Sequence, residues 1–121
     1  LDHGYALGEL FRIQGVNSIV TRGQVCASSC AIAFLGAKFR DVIGDGILLF
    51  HAPYTIEENR YYQKAPKCSS KKKASKLESY YIARLGNESG TRLFDRTMSY
   101  CSDINGWTIN AGAAEVYGIT K

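Results

Sequence analysis

The chain reads as an α/β protein because helical and strand periodicities alternate along it. Three stretches carry that expectation: a helical pattern running directly into a β-branched strand, an apolar small-residue helix preceding two strands, and an asparagine-capped helix near the C-terminal end. At 121 residues the chain suits one domain, and a single domain over 1–121 is expected.

Tyr5, Ala6, Leu7, Leu10, Phe11 and Ile13 recur at three- and four-residue intervals, which predicts a helix ending before Gly15. Residues 16–20 are short, apolar and β-branched and predict a strand, with Gly23 breaking it. Helix then strand is the αβ half of a βαβ unit. Over 27–36, the run ASSCAIAFLG predicts a helix buried nearly all round, with Ser28 or Ser29 able to cap it and Gly36 able to end it. Residues 39–43 and 47–50 read as two strands joined by Gly44-Asp45-Gly46, whose Asp-Gly step favours a tight turn. His51-Ala52-Pro53 ends the second of them. Residues 54–73 carry no convincing period and predict a long basic loop or partly ordered lid. Helices resume over 74–85, stopped by Gly86, and over 91–100. Asn110 is placed to cap a last helix that stops at Gly118 and leads into a short closing strand, Ile119-Thr120.

With 45% hydrophobic and 21% charged residues and only 2 Pro, the composition excludes a disordered, collagenous or coiled-coil chain. No apolar run approaches the ~20 residues that span a bilayer, so no membrane span is expected. The net charge of +4 is concentrated in Lys67, Lys71, Lys72, Lys73 and Lys76. Interleaved with serines and lacking the aromatic signature of an RNA module, that run reads as a solvated face; a polyanion contact is the alternative, and no nucleic-acid partner is expected. Leu1 is not an initiator Met, so a processed form or a piece of a longer chain is expected.

The 4 cysteines, Cys26, Cys30, Cys68 and Cys101, fit no paired zinc-ligand spacing and read as disulfides in an oxidising compartment, with buried thiols as the alternative. Sequence leaves three pairings open; Cys26 with Cys30 and Cys68 with Cys101 is the expected one. Neither a ligand cluster nor a phosphate-binding glycine loop is present, so no metal and no organic cofactor is implied.

A serine at a strand-to-helix junction between small residues exposes a nucleophile beside helix N–H groups that stabilise an oxyanion. Gln24-Val25-Cys26-Ala27-Ser28-Ser29-Cys30 has that character. Serine needs a base, and His51, at the end of a strand, is the candidate; strand ends converge on one edge of a parallel sheet, where Ser29 and His51 can meet. The plainer alternative makes the serines a helix cap and His51 structural.

Three segments carry a resemblance: Gly23-Gln24 with Ala27-Ser28-Ser29-Cys30-Ala31-Ile32-Ala33-Phe34-Leu35, then Ile47-Leu48-Leu49-Phe50-His51-Ala52-Pro53, then Ala113-Ala114-Glu115-Val116-Tyr117-Gly118-Ile119. Together they resemble the proteolytic subunit of Clp protease and the wider crotonase-like superfamily, closest to periplasmic bacterial members with a CASAC motif. The resemblance implies repeated βαβ (ββα) units, with the first strand and a Gly-Gly turn lying upstream of Leu1. It further implies a serine peptidase acting on a peptide or protein substrate, a homo-oligomer, and a periplasmic or secreted location. Ser29 falls on the family's nucleophile, His51 on its base, and the Cys30 N–H on an oxyanion-hole donor. The family's third triad residue, an aspartate, aligns with Gly106; Asp103, or Asn105 as the alternative, is the neighbour that would orient His51. That departure motivates a second reading, a catalytically reduced binding or assembly module. A Ser-Lys dyad would have to use Lys38, which reads as solvated, and Glu57 and Glu58 are weaker charged candidates. Tyr54, Tyr61, Tyr62, Tyr80, Tyr81 and Tyr100 read as packing residues, with a peptide groove or oligomer surface as the alternative.

Overall fold

The computed structural model describes residues 2–58, 64–68, 70–100 and 106–120. In chain order the elements are α1 (Asp2–Gln14), β1 (Asn17–Val20), β2 (Val25–Ala27), α2 (Ser29–Gly36), β3 (Phe39–Val42), β4 (Ile47–Phe50), β5 (Tyr54–Glu58), β6 (Lys64–Cys68), α3 (Ser75–Leu85), α4 (Asn87–Ser99), β7 (Trp107–Ile109) and α5 (Ala111–Val116). The result is a mixed α/β fold. Its described strands form three small sheets: β1–β3, β2–β4–β7 and β5–β6.

The βαβ logic of the sequence is present. β1 pairs parallel with β3 (Ile19↔Asp41), and β2 pairs parallel with β4 (Cys26↔Leu48), so α2 crosses over between parallel strands. β7 then closes the other side of β4 in antiparallel register, Phe50 opposite Trp107. The Asp45-Gly46 turn forms, with the Gly46 N–H donating to Ile43 O at 3.1 Å, yet β3 and β4 do not pair with each other. Their neighbours are the earlier strands. The Ile43 N–H donates to Val20 O at 2.9 Å and the Ile47 N–H to Gln24 O at 3.0 Å, while Asp45 Oδ1 accepts from the Gly23 N–H at 2.9 Å. Two broken strands thus run side by side, and their interruptions are bonded to each other.

α2 is the centre of the molecule. Ala31, Ile32, Ala33, Phe34, Leu35 and Gly36 are all buried, as its composition predicts. The apolar core around it gathers Leu48, Phe50, Leu77, Tyr81, Leu93, Phe94 and Ile109, each fully enclosed and each contributing roughly 1.5–3 kcal/mol by leaving water. α1 lies on α2 through glycines rather than through its leucines: Gly4 and Gly8 are its buried residues, while Leu7, Leu10 and Ile13 are 44%, 48% and 66% exposed. A Cβ on Gly36 would collide with the Gly8 backbone, so the two helices cross at a separation that only glycine permits. Tyr80, on α3, braces this crossing, donating to Ile32 O at 2.6 Å.

Three sequence expectations change. Residues 54–58 and 64–68 are not loop but an antiparallel pair, Tyr54↔Cys68 to Glu58↔Lys64; a five-residue strand is too short to show its two-residue period against a basic background. Residues 119–120 form no closing strand. Instead the Ile119 N–H donates to Ala114 O at 2.8 Å, and its carbonyl accepts from buried Arg40 Nε at 2.6 Å. Arg40 also donates to Leu35 O and Ala37 O, tying the end of α2 to the C-terminal segment, and desolvation pulls its pKa below the ordinary guanidinium value. Finally, α4 begins at Asn87, a turn earlier than its apolar spacing indicates. No described helix is long and apolar enough to cross a membrane.

Candidate active site

β2 ends at Ala27 and α2 begins at Ser29, so Ser28 alone makes the turn between them. Its backbone sits at φ 58°, ψ −118°, and among the described residues it is the one non-glycine with positive φ. Such a conformation costs a side-chain-bearing residue roughly 1–3 kcal/mol and persists where the surroundings impose it. Here the surroundings do so on both sides. The Ser28 N–H donates to Leu49 O in β4 at 3.0 Å, and Ser28 O accepts from the Ile32 N–H in α2 at 3.1 Å.

The turn aims the Ser28 hydroxyl at the end of β4. Ser28 Oγ lies 2.9 Å from His51 Nε2. His51 Nδ1 lies 3.1 Å from Ala52 O, and a carbonyl can only accept, so Nδ1 carries the proton. In the neutral imidazole Nε2 is then the acceptor of the serine O–H, the tautomer that a general base for an alcohol requires. Both residues are half-buried.

The Ser28 side chain makes no cap bond to α2. The first N–H groups of α2, those of Ser29, Cys30 and Ala31, have no carbonyl to bond within the helix, and they carry the positive end of its dipole beside Ser28. Cys26 and Cys30 are joined by a disulfide with their Cα atoms 5.1 Å apart, enclosing Ala27, Ser28 and Ser29 in one small ring. The expected Cys26–Cys30 pair is therefore present; the expected partnering of Cys68 with Cys101 lies outside the described residues.

The serine that meets His51 is thus Ser28, whereas the sequence reading favoured Ser29. Ser29 is the first residue of α2 and lines an apolar groove of about 840 Å³ between α1, β1, β2 and α2, whose walls include Leu7, Phe11, Val25 and Phe34. Neither Ser28 nor His51 is among its lining residues. The signal that separates the two serines is the helix boundary. α2 begins at Ser29, which leaves Ser28 in the turn where a positive φ can present a hydroxyl; the residues alone do not fix that boundary, since either serine can cap the run.

Asp103 and Asn105 lie outside the described residues. Gly106 is described: at φ 75° it packs against Phe50 O, and a Cβ there would stand 2.9 Å from His51 Cβ. Glycine is required at this close approach.

Of the remaining candidates, Tyr54, Glu57, Glu58, Tyr61, Tyr62 and Lys67 have side chains outside the described residues, and several of the others serve the packing or form surface ion pairs. Tyr81 is fully buried and burial pushes its pKa up; Tyr80 and Tyr5, packed together at 5.0 Å between ring centroids, are pushed to about 12, chiefly by desolvation. Tyr100 stacks on Trp107 at 5.7 Å. Lys71 and Lys76 form exposed ion pairs with Asp95 and Asp2 at 3.3 and 3.6 Å. No protein-family model matches the chain, and no curated protein and no solved structure matches it.

Proposed function

We propose that the protein is a serine hydrolase, acting as a peptidase on a Clp/crotonase-like fold, with Ser28 as nucleophile and His51 as general base. The observation that carries this reading is the 2.9 Å contact between Ser28 Oγ and His51 Nε2 at a strained serine beside the N-terminus of α2. Oγ attacks the acyl carbon as its proton passes to Nε2. The developing oxyanion takes hydrogen bonds from the Ser29 and Cys30 N–H groups; His51 then returns the proton to the leaving group, and water repeats the sequence on the acyl-serine. Asp103, or Asn105, would complete the orientation of the imidazole already begun by Ala52 O. Exposed Leu7, Leu10, Ile13, Ile19 and Val25 support a homo-oligomer, and the Cys26–Cys30 disulfide supports a periplasmic or secreted location.

The test is labelling of the intact protein with a fluorophosphonate probe, followed by mass mapping. Modification is expected at Ser28, lost in Ser28→Ala, reduced at least ~10³-fold in His51→Ala, and retained in Ser29→Ala. A folded protein that takes no label would favour the binding-module reading instead.

A further inference from the structure

The turn that presents Ser28 is held locally by two backbone hydrogen bonds, from the Ser28 N–H to Leu49 O and from the Ile32 N–H to Ser28 O, and otherwise by short elements. β2 has three residues, the Ser28 side chain makes no cap bond to α2, and the junction residue adopts a backbone conformation that serine disfavours. Across that junction, in strand and helix, stand Cys26 and Cys30. Cys26 is buried in the core and paired with Leu48 in the β-ladder, whereas Cys30 is exposed in the first turn of α2. Their bond therefore ties the exposed first turn of the helix to the buried strand. Relaxation of Ser28 to an ordinary φ would re-aim the helix start against β2, and a ring of Cys26, Ala27, Ser28, Ser29 and Cys30 resists that.

We infer that the Cys26–Cys30 disulfide is the positioning element for Ser28, so that reactivity at the serine depends on the oxidation state of this pair. The inference rests on the serine-hydrolase reading above. In the switching step a dithiol reductant supplies two electrons and two protons, the Sγ–Sγ bond breaks to two thiols, and the reductant closes its own disulfide. Cys30 Sγ, on the exposed side, is the sulfur an incoming thiolate reaches first. With the ring open, Ser28 Oγ leaves the 2.9 Å line to His51 Nε2 and the α2 N–H groups shift with it.

The test measures the fluorophosphonate labelling rate at Ser28 in the full chain, oxidised and after treatment with dithiothreitol. The thiols are trapped by alkylation and mapped. Reduction of Cys26 and Cys30 is expected to slow labelling at least ~10-fold, since displacements of about an ångström cost that much or more, and reoxidation restores the rate. Cys30→Ser, which keeps the backbone N–H and alters an exposed side chain, is expected to label at the reduced rate and to ignore dithiothreitol, which separates this pair from Cys68 and Cys101. A purely structural disulfide would lower the melting temperature but leave the folded site unchanged. The His51 Nε2 nitrogen-15 resonance decides between these, and on reduction it is expected to move towards its position in Ser28→Ala. Equal labelling rates with and without reduction, or an unmoved His51 resonance, would overturn the inference while leaving the hydrolase reading intact. An oxidised protein that takes no label overturns the hydrolase reading itself.

Discussion

Two strand-to-helix turns flank β4, one leading from β2 into α2 and the other from β7 into α5, and they are built in opposite ways. At the second, Asn110 occupies an unstrained extended conformation (φ −87°) and its Oδ1 accepts from the Ala113 N–H at 2.9 Å, an ordinary N-cap. At the first, Ser28 takes φ 58° and its side chain makes no cap bond to the helix; its hydroxyl points away to His51. One turn spends its polar side chain on helix stability, and the other withholds it. Local stability is given up where the hydroxyl is turned to His51 instead of to the helix, and the loss is offset by the disulfide and by the glycine crossing of α1 on α2.

The largest contrast is expected from replacing the two turn residues. Both Ser28→Ala and Ser28→Gly should lose at least ~10³-fold in probe reactivity, whereas Asn110→Ala should leave it unchanged. Within the Ser28 pair, both variants lack the hydroxyl, so their difference isolates backbone strain. Ser28→Gly is expected to be about 1 kcal/mol more stable than Ser28→Ala by urea denaturation; equal stabilities would mean that the turn is unstrained.

Next in size is the support of α2 from outside. Gly36→Ala drives a methyl into the Gly8 backbone and should destabilise by about 3 kcal/mol, measured as a lower urea midpoint at unchanged slope. Smaller is the cap itself. Asn110→Ala should cost about 1 kcal/mol, seen as a fall of roughly 4 °C in Tm, with no counterpart at Ser28 because no cap bond exists there to remove.

The last effect is alkaline. Tyr80, whose hydroxyl donates to Ile32 in α2, and its neighbour Tyr5 have pKa values raised from 10.0 to about 12. A raised pKa on an acid means that the folded chain keeps a proton which the unfolded chain loses. The stabilisation is therefore complete below pH 10 and is lost as pH rises from 10 to 12. Tyr80→Phe should flatten part of that decline in a stability–pH profile, whereas Asn110→Ala should leave its shape unaltered.

Much of the fold is legible in the residues. α1, β1, α2, β3, β4, α3, α4 and α5 follow from apolar spacing with glycine and asparagine punctuation, and Asn110 and Gly118 act as their types predict. β2 and β7 are not legible, because three residues cannot display a period and each exists only through its ladder with β4. The Asp-Gly turn is equally instructive. It forms locally, but parallel partners in β1 and β2 outcompete the hairpin that the dipeptide favours in isolation. Likewise the leucines of α1 suggest a packing face, yet it is the small residues between them that reach the core, since a helix crossing this close admits glycine alone.

The candidate site divides in the same manner. Sequence by itself determined that a serine pair precedes an apolar helix, that a histidine follows a strand, and that Cys26 and Cys30 lie close enough along the chain to pair. Tertiary structure alone decided which serine is used. Ser28 and Ser29 are chemically identical and adjacent; what distinguishes them is the hydrogen bond from the Ser28 N–H to Leu49, the start of α2 at Ser29 and the resulting φ of 58°, a set of long-range constraints that direct one hydroxyl to His51 and leave the other residue lining the groove.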